Sequence, residues 1–272
     1  MKLQELLYRF YSQYDVRLNQ DSYSKLIGII YILAILLAEY FSFYVHPILG
    51  IVGHGILLAT FLVHSALSNR NTSRRLYLSL SLVPIIRIVS LSMPLGLITR
   101  IWQFPLIYGP ILIAAIIVAH ILRLNMLDLS LKMDISIRQL LVALSGVILG
   151  IIEYYILNPE PLIEAPLWNE LIFINVILIL TTGFVEEFIF RGILQHAAIQ
   201  HFGGWGIFYI SIIFAIMHMG YLVLLDVVFV LFVALYFALI VKKTGSLWGV
   251  ILAHGVTNFV LFEMIPVISI FD

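Results

Sequence analysis

Apolar residues in this chain come in runs of about twenty, separated by short polar or glycine- and proline-bearing breaks. Nine such segments stand out: Leu26–Tyr44, Leu49–Leu67, Leu76–Leu95, Pro105–Leu122, Leu140–Leu157, Leu171–Ile193, Trp205–Met219, Leu222–Val241 and Leu247–Ile265. A run of about 20 apolar residues is what an α-helix needs to cross a ~30 Å hydrocarbon core. A membrane β-barrel would instead alternate polar and apolar positions in short segments. The pattern predicts an all-α, polytopic transmembrane helix bundle of about nine spans. The seventh segment is short, and only Gly220-Tyr221 lies between it and the eighth, so eight spans is the alternative count.

Basic residues between the segments favour nine. Lys2, Arg9, Arg17 and Lys25 precede segment one; Arg70, Arg74 and Arg75 lie between two and three. Arg123, Lys132 and Arg138 lie between four and five, and Lys242 and Lys243 between eight and nine. With nine alternating spans all of these share one side, and cytoplasmic loops are the ones enriched in Lys and Arg. The other side receives Arg100 and the acidic loop of Glu160, Glu164 and Glu170. The expectation is an integral membrane protein with a cytoplasmic N-terminus and an external C-terminus, in a prokaryotic cell membrane or an endomembrane.

Residues 1–25 carry seven charges and no apolar core of a signal peptide. Leu3, Leu6, Leu7, Phe10, Tyr11 and Tyr14 fall on one helical face, which suits a helix on the membrane surface or packed on the bundle end. The mixed stretch Asn125–Gln139, a cytoplasmic loop or an interfacial helix, is the best internal boundary. It separates a four-helix region, 26–124, from a second membrane region, 140–265. Gly146 and Gly150 form a small-xxx-small pair, a sign of close helix packing.

Composition agrees with a membrane chain: 62% hydrophobic, 11% charged, mean hydropathy +1.08. Charged residues make up about 25% of an average soluble domain. The net charge of zero gives no electrostatic case for nucleic acid, and the absence of cysteine excludes disulfides, thiolate metal sites and a cysteine nucleophile.

Against that background the stretch GFVEEFIFRG, Gly183 to Gly192, is anomalous. An ionisable residue at the centre of a membrane helix costs about 2.5–3.5 kcal/mol or more, so it faces a partner or a wet cavity. Glu187 and Arg191 are four apart and can pair along one face. Glu186 points about 100° away and is left over. A carboxylate without a cation, in an apolar site, suits a general base.

Its companions follow from spacing. His201-Phe202-Gly203-Gly204 reads as a turn. Glu186 lies sixteen residues before Phe202 and His218 sixteen after it, so an antiparallel pair puts both about 20 Å from the tip. In HGVTN, His254 and Asn258 share a helix face, about 14 and 20 Å from the turn at Gly245. One carboxylate, two imidazoles and an amide thus converge in one layer. This is equipment for hydrolysis: Glu186 and His218 hold and deprotonate water, while His254 and Asn258 donate to a tetrahedral oxyanion.

The motifs EExxxR (Glu186, Glu187, Arg191), FxxxH (Phe214, His218) and HxxxN (His254, Asn258), in this order on separate membrane helices, resemble the CPBP family. This family comprises CAAX prenyl endopeptidases and bacteriocin-processing or immunity proteins, and is also called Abi. The resemblance spans roughly 140 to 265 and implies an intramembrane glutamic endopeptidase. It implies Glu186 and His218 as water activators, His254 and Asn258 as the oxyanion hole, and no cofactor. It also implies a membrane-anchored peptide or protein substrate, including a lipidated C-terminal tail. Glu187 and Arg191 read as structural, and Phe214 as a pocket-shaping core residue.

Three other readings compete. Glu186, His218 and His254 have the chemistry of zinc ligands, although no HExxH prearranges them and asparagine suits an oxyanion better than zinc. Glu and His chains also relay protons in transporters, but no inverted repeat is visible. The third is a catalytically idle immunity or scaffold protein. Glu39, His54, His64, Arg87, His120, Glu153, Asp226 and Glu263 are scattered through the apolar segments and read as structural. Among them, Glu39 with His54 or His64 is a candidate second cluster, Arg87 needs Glu39 or Glu153 as partner, and Asp226 is expected near the external surface.

Overall fold

Helix boundaries in the computed structural model follow the polar punctuation of the chain; it describes residues 23–163 and 166–271. Among the described residues, nine apolar helices run in order: α1 (Tyr23–Val45), α2 (Pro47–Leu67), α3 (Asn71–Ser92), α4 (Arg100–Ile121), α5 (Ile137–Leu157), α6 (Trp168–Phe202), α7 (Trp205–Tyr221), α8 (Leu224–Thr244) and α9 (Trp248–Ser269). Eight are long and apolar enough to cross a membrane, and α7 is the shorter one. The architecture is the expected polytopic helical bundle. The surface helix expected around Leu3–Tyr14 and the acidic Glu164 lie outside the described residues.

Several boundaries moved for local reasons. Helix α3 stops at Ser92 because Met93 precedes Pro94, and a residue before proline is pushed out of the helical region. Helix α6 runs for 35 residues, past the charged stretch to the turn at Gly203, whose φ of +62° suits glycine. The stretch 125–136 is a loop, not an interfacial helix. It is tied to the α8–α9 turn by a single bridge between Leu131 and Ser246 and by Leu247 N–H donating to the Ser130 carbonyl at 2.8 Å.

Glycine sets the closest helix contacts. A Cβ on Gly146 would sit 2.2 Å from the Ala253 carbonyl oxygen, and one on Gly150 2.6 Å from that of Thr257, so α5 and α9 touch backbone to backbone. Helices α6 and α9 meet reciprocally. A Cβ on Gly183 would lie 2.6 Å from the Ile251 carbonyl oxygen, and one on Gly255 2.6 Å from the Ile179 Cα. That contact sits one turn from the two glutamates of α6 and beside His254. Helices α1 to α4 close the opposite wall, with the core between them built on Ile35, Phe61, Leu80 and Leu82.

Candidate active site

The two glutamates are adjacent in sequence but live in different environments. Residues Ile179–Glu186 and Phe188–Leu194 of α6 are wound as π-helix, on either side of Glu187. Such widened turns recur at functional sites because they re-aim side chains. The Glu187 side chain is fully buried, whereas that of Glu186 is 17% exposed, so Glu186 is the one that opens into a cavity.

Glu187 gathers two partners on one oxygen. Its Oε1 lies 2.9 Å from Arg191 Nη1, the i,i+4 pair read from the sequence, and 2.8 Å from His254 Nδ1. The Arg191 guanidinium also lies over the Phe214 ring, 4.3 Å from its centroid, a cation–π contact in an apolar setting. Phe214 therefore holds the arginine as well as shaping the core. An ion pair this deep needs such extra partners, because desolvation cancels much of its Coulomb attraction.

Glu186 is not left without a partner, as the sequence suggested. The Tyr108 hydroxyl on α4 donates a hydrogen bond to Glu186 Oε1. Glu186 Oε2 lies 3.8 Å from His254 Nε2, so one imidazole stands between the two carboxylates. With Nδ1 donating to Glu187, Nε2 is the His254 nitrogen that faces Glu186.

His218 closes α7. Its Nδ1 sits 2.9 Å from the Phe214 carbonyl, which fixes Nδ1 as the donor and leaves Nε2 with its lone pair. Glu186 and His218 line one cavity of about 340 Å³, together with Arg87, Tyr108, Phe190 and Tyr221. His218 also lines a second, smaller cavity of about 30 Å³ with His254, Asn258 and Glu153. That space is large enough for a water molecule. Neither of these two cavities is lined by all four of Glu186, His218, His254 and Asn258. Among the described residues, no three His, Asp or Glu side chains are grouped as a metal-ligand set.

Two further side chains reach this region from the leading helices. Tyr108 was not singled out in the sequence. The signal available was its place between Pro105 and Pro110 inside α4, where each proline removes a helical hydrogen bond. Arg87, placed only as needing a partner, pairs with Glu39: its Nε lies 2.8 Å from Glu39 Oε1, and His54 Nε2 lies 3.1 Å from the same oxygen. His64 is not part of that cluster; it stacks on Tyr77 at 3.8 Å. Asp226 sits in the first turn of α8, and its side chain is fully buried. Glu263 accepts the N–H groups of Leu162 and Ile163, at 2.9 and 3.3 Å, and so pins the α5–α6 loop.

Comparison with known proteins adds a family. Residues 167–260 match the family model described as type II CAAX prenyl endopeptidase Rce1-like. This is the CAAX protease family that the motif set resembles, and the matched span holds Glu186, Glu187, Arg191, Phe214, His218, His254 and Asn258. Tyr108 and Arg87 lie outside it. No curated protein and no solved structure matches the chain.

Proposed function

We propose, taking the CAAX endopeptidase match over 167–260 as premise, that this integral membrane protein hydrolyses a peptide bond of a membrane-associated substrate with water activated by Glu186 and His218. The observation that carries the reading is the shared cavity: a carboxylate and an imidazole with a free Nε2 lone pair face the same space inside the bundle. In this reading a water molecule sits between them. One of its protons passes to Glu186 as its oxygen bonds to the substrate carbonyl carbon. Tyr108 holds the carboxylate in place for that transfer. Such proton transfer by a positioned group contributes on the order of 10²–10⁴ in rate.

The carbonyl oxygen becomes an oxyanion, and His254 Nε2–H and the Asn258 amide donate to it. In that role His254 carries both ring protons, with Glu187 accepting from Nδ1. Collapse breaks the C–N bond, the proton returns from Glu186 to the departing amine nitrogen, and the products are a carboxylic acid and an amine. Enclosure makes these hydrogen bonds stronger than they would be in bulk water. The apolar walls suit a lipidated tail that enters sideways from the bilayer, with a free C-terminal segment reaching the cavity.

The test uses purified protein in lipid nanodiscs and a farnesylated C-terminal peptide beside its unlipidated twin. Cleavage of the lipidated peptide, lost in Glu186→Gln, is the expected result. Equal cleavage of the unlipidated twin contradicts the lipid part of the reading. Loss of cleavage on EDTA, with recovery on added zinc, contradicts direct activation of water by Glu186. Wild-type phenotype retained in Glu186→Gln cells contradicts catalysis altogether.

A further inference from the structure

The cluster of charges farthest from the family motifs makes a contact next to His218. Glu39 on α1 and His54 on α2 are fully buried; Glu39 Oε1 holds Arg87 on α3 from one side, and His54 lies against that same oxygen. The other edge of the guanidinium reaches out of the cluster: Arg87 Nη2 donates to the Met217 carbonyl at 2.5 Å. Met217 immediately precedes His218. Its carbonyl belongs to the last turn of α7, where helix carbonyls have no partner further along the backbone. A cation at that end also meets the negative pole of the helix.

The backbone at this point needs holding. His218 has φ −92° and ψ 1°, between the α-helical run and the short 3₁₀ turn Met219–Tyr221. This bridge region of conformational space is sparsely populated and is often occupied by active-site residues. The same helices press on the turn sterically. The Arg87 guanidinium lies 4.7 Å from the centroid of the Phe43 ring, and a Cβ on Gly220 would lie 2.9 Å from that ring. So α1 and α3 fix the peptide unit before His218 and the residue two places after it.

We propose that Arg87, anchored by Glu39, is a positioning residue for His218. It caps α7 from outside and holds the peptide that sets the imidazole's aim toward Glu186. The catalytic meaning of this rests on the proposed role of His218; the structural part does not. It also gives the leading helices a task that a mere seal of the bundle would not have.

The experiment is nitrogen NMR of the full-length protein in nanodiscs with ¹⁵N-labelled histidine, the His218 signals being assigned by their loss in His218→Gln. In the wild-type protein they are expected to report one tautomer, protonated at Nδ1. In Arg87→Gln both tautomers or exchange-broadened signals are expected, with kcat for the lipidated peptide down on the order of tenfold to a hundredfold and KM little changed. Arg87→Lys keeps a cation opposite Glu39 but not the forked reach to Met217, and is expected to restore cleavage only in part. Unchanged His218 signals in either folded variant overturn the proposal. If neither variant folds, Arg87 only holds the bundle together and the proposal is likewise overturned. A shifted His218 in a protein that cleaves nothing, wild type included, sinks the enzymatic reading and leaves the positioning one standing.

Discussion

At the scale of single residues, the site rests on the unequal treatment of two neighbouring glutamates. Glu187 is committed to Arg191 and His254, and Glu186 is free to face the cavity with Tyr108 as donor. Tyr108→Phe removes a hydrogen bond to a charged group, worth about 1.5–3 kcal/mol. Cleavage of a lipidated peptide is expected to fall roughly ten- to a hundredfold with unchanged thermal unfolding; an unaltered rate would remove Tyr108 from the mechanism. Arg191→Met leaves Glu187 buried beside His254 alone, and removing one partner of a buried pair costs about 3–5 kcal/mol. Pairing it with Glu187→Leu is expected to regain most of the unfolding temperature but not cleavage, since His254 then has no acceptor for Nδ1. Recovery of cleavage in the double variant would show Glu187 to be dispensable for orienting that histidine. Of these contacts, the Glu187–Arg191 pair was legible because i,i+4 spacing along one helix is a local property. Tyr108 was not, because a tyrosine 78 positions from Glu186 leaves no periodic trace in the sequence.

At the scale of elements, glycines decide how near the reacting groups come. The Gly183–Gly255 contact lets α6 and α9 touch, and His254 neighbours one of those glycines. Gly255→Val is expected to separate His254 from Glu187, lowering the unfolding temperature and abolishing cleavage. Gly55→Ala on α2 is the matched control, since nothing lies within 4 Å of the added Cβ. Equal behaviour of the two variants would contradict the packing argument. The Gly146–Gly150 pair was readable as a contact face from its spacing alone. The reciprocal Gly183–Gly255 contact was not, because it joins single glycines on two helices and neither helix carries a repeat. Helical periodicity also misses the π-wound turns around Glu187, since widening depends on what α6 packs against. For the same reason the 100° offset expected between the two glutamates described their divergence but not their partners.

At the scale of the whole molecule, nine apolar helices were visible in the run lengths, while the partnership between the two regions was not. The motif-bearing region and leading helices α1, α3 and α4 share one cavity, with Tyr108 and Arg87 among its lining residues. Long-range contacts of this kind link segments through folding, and nothing in the local sequence announces them. The charge asymmetry of the loops predicts which faces are cytoplasmic, and the cysteine-free chain makes that easy to read with single cysteines. Asn69→Cys and Lys243→Cys are expected to react with an impermeant thiol reagent only from the cytoplasmic side, and Leu97→Cys only from outside. Labelling of Asn69→Cys and Lys243→Cys from opposite sides would mean that α7 does not cross. The most direct test of the central claim, water activation by Glu186 inside the bundle, is a survey of C-terminal peptide ends in membranes of cells carrying the wild-type protein or Glu186→Gln. The expected result is a small set of membrane-associated proteins whose C-termini are trimmed only in the wild type. Identical C-termini in both, with both proteins folded and equally abundant, would contradict it.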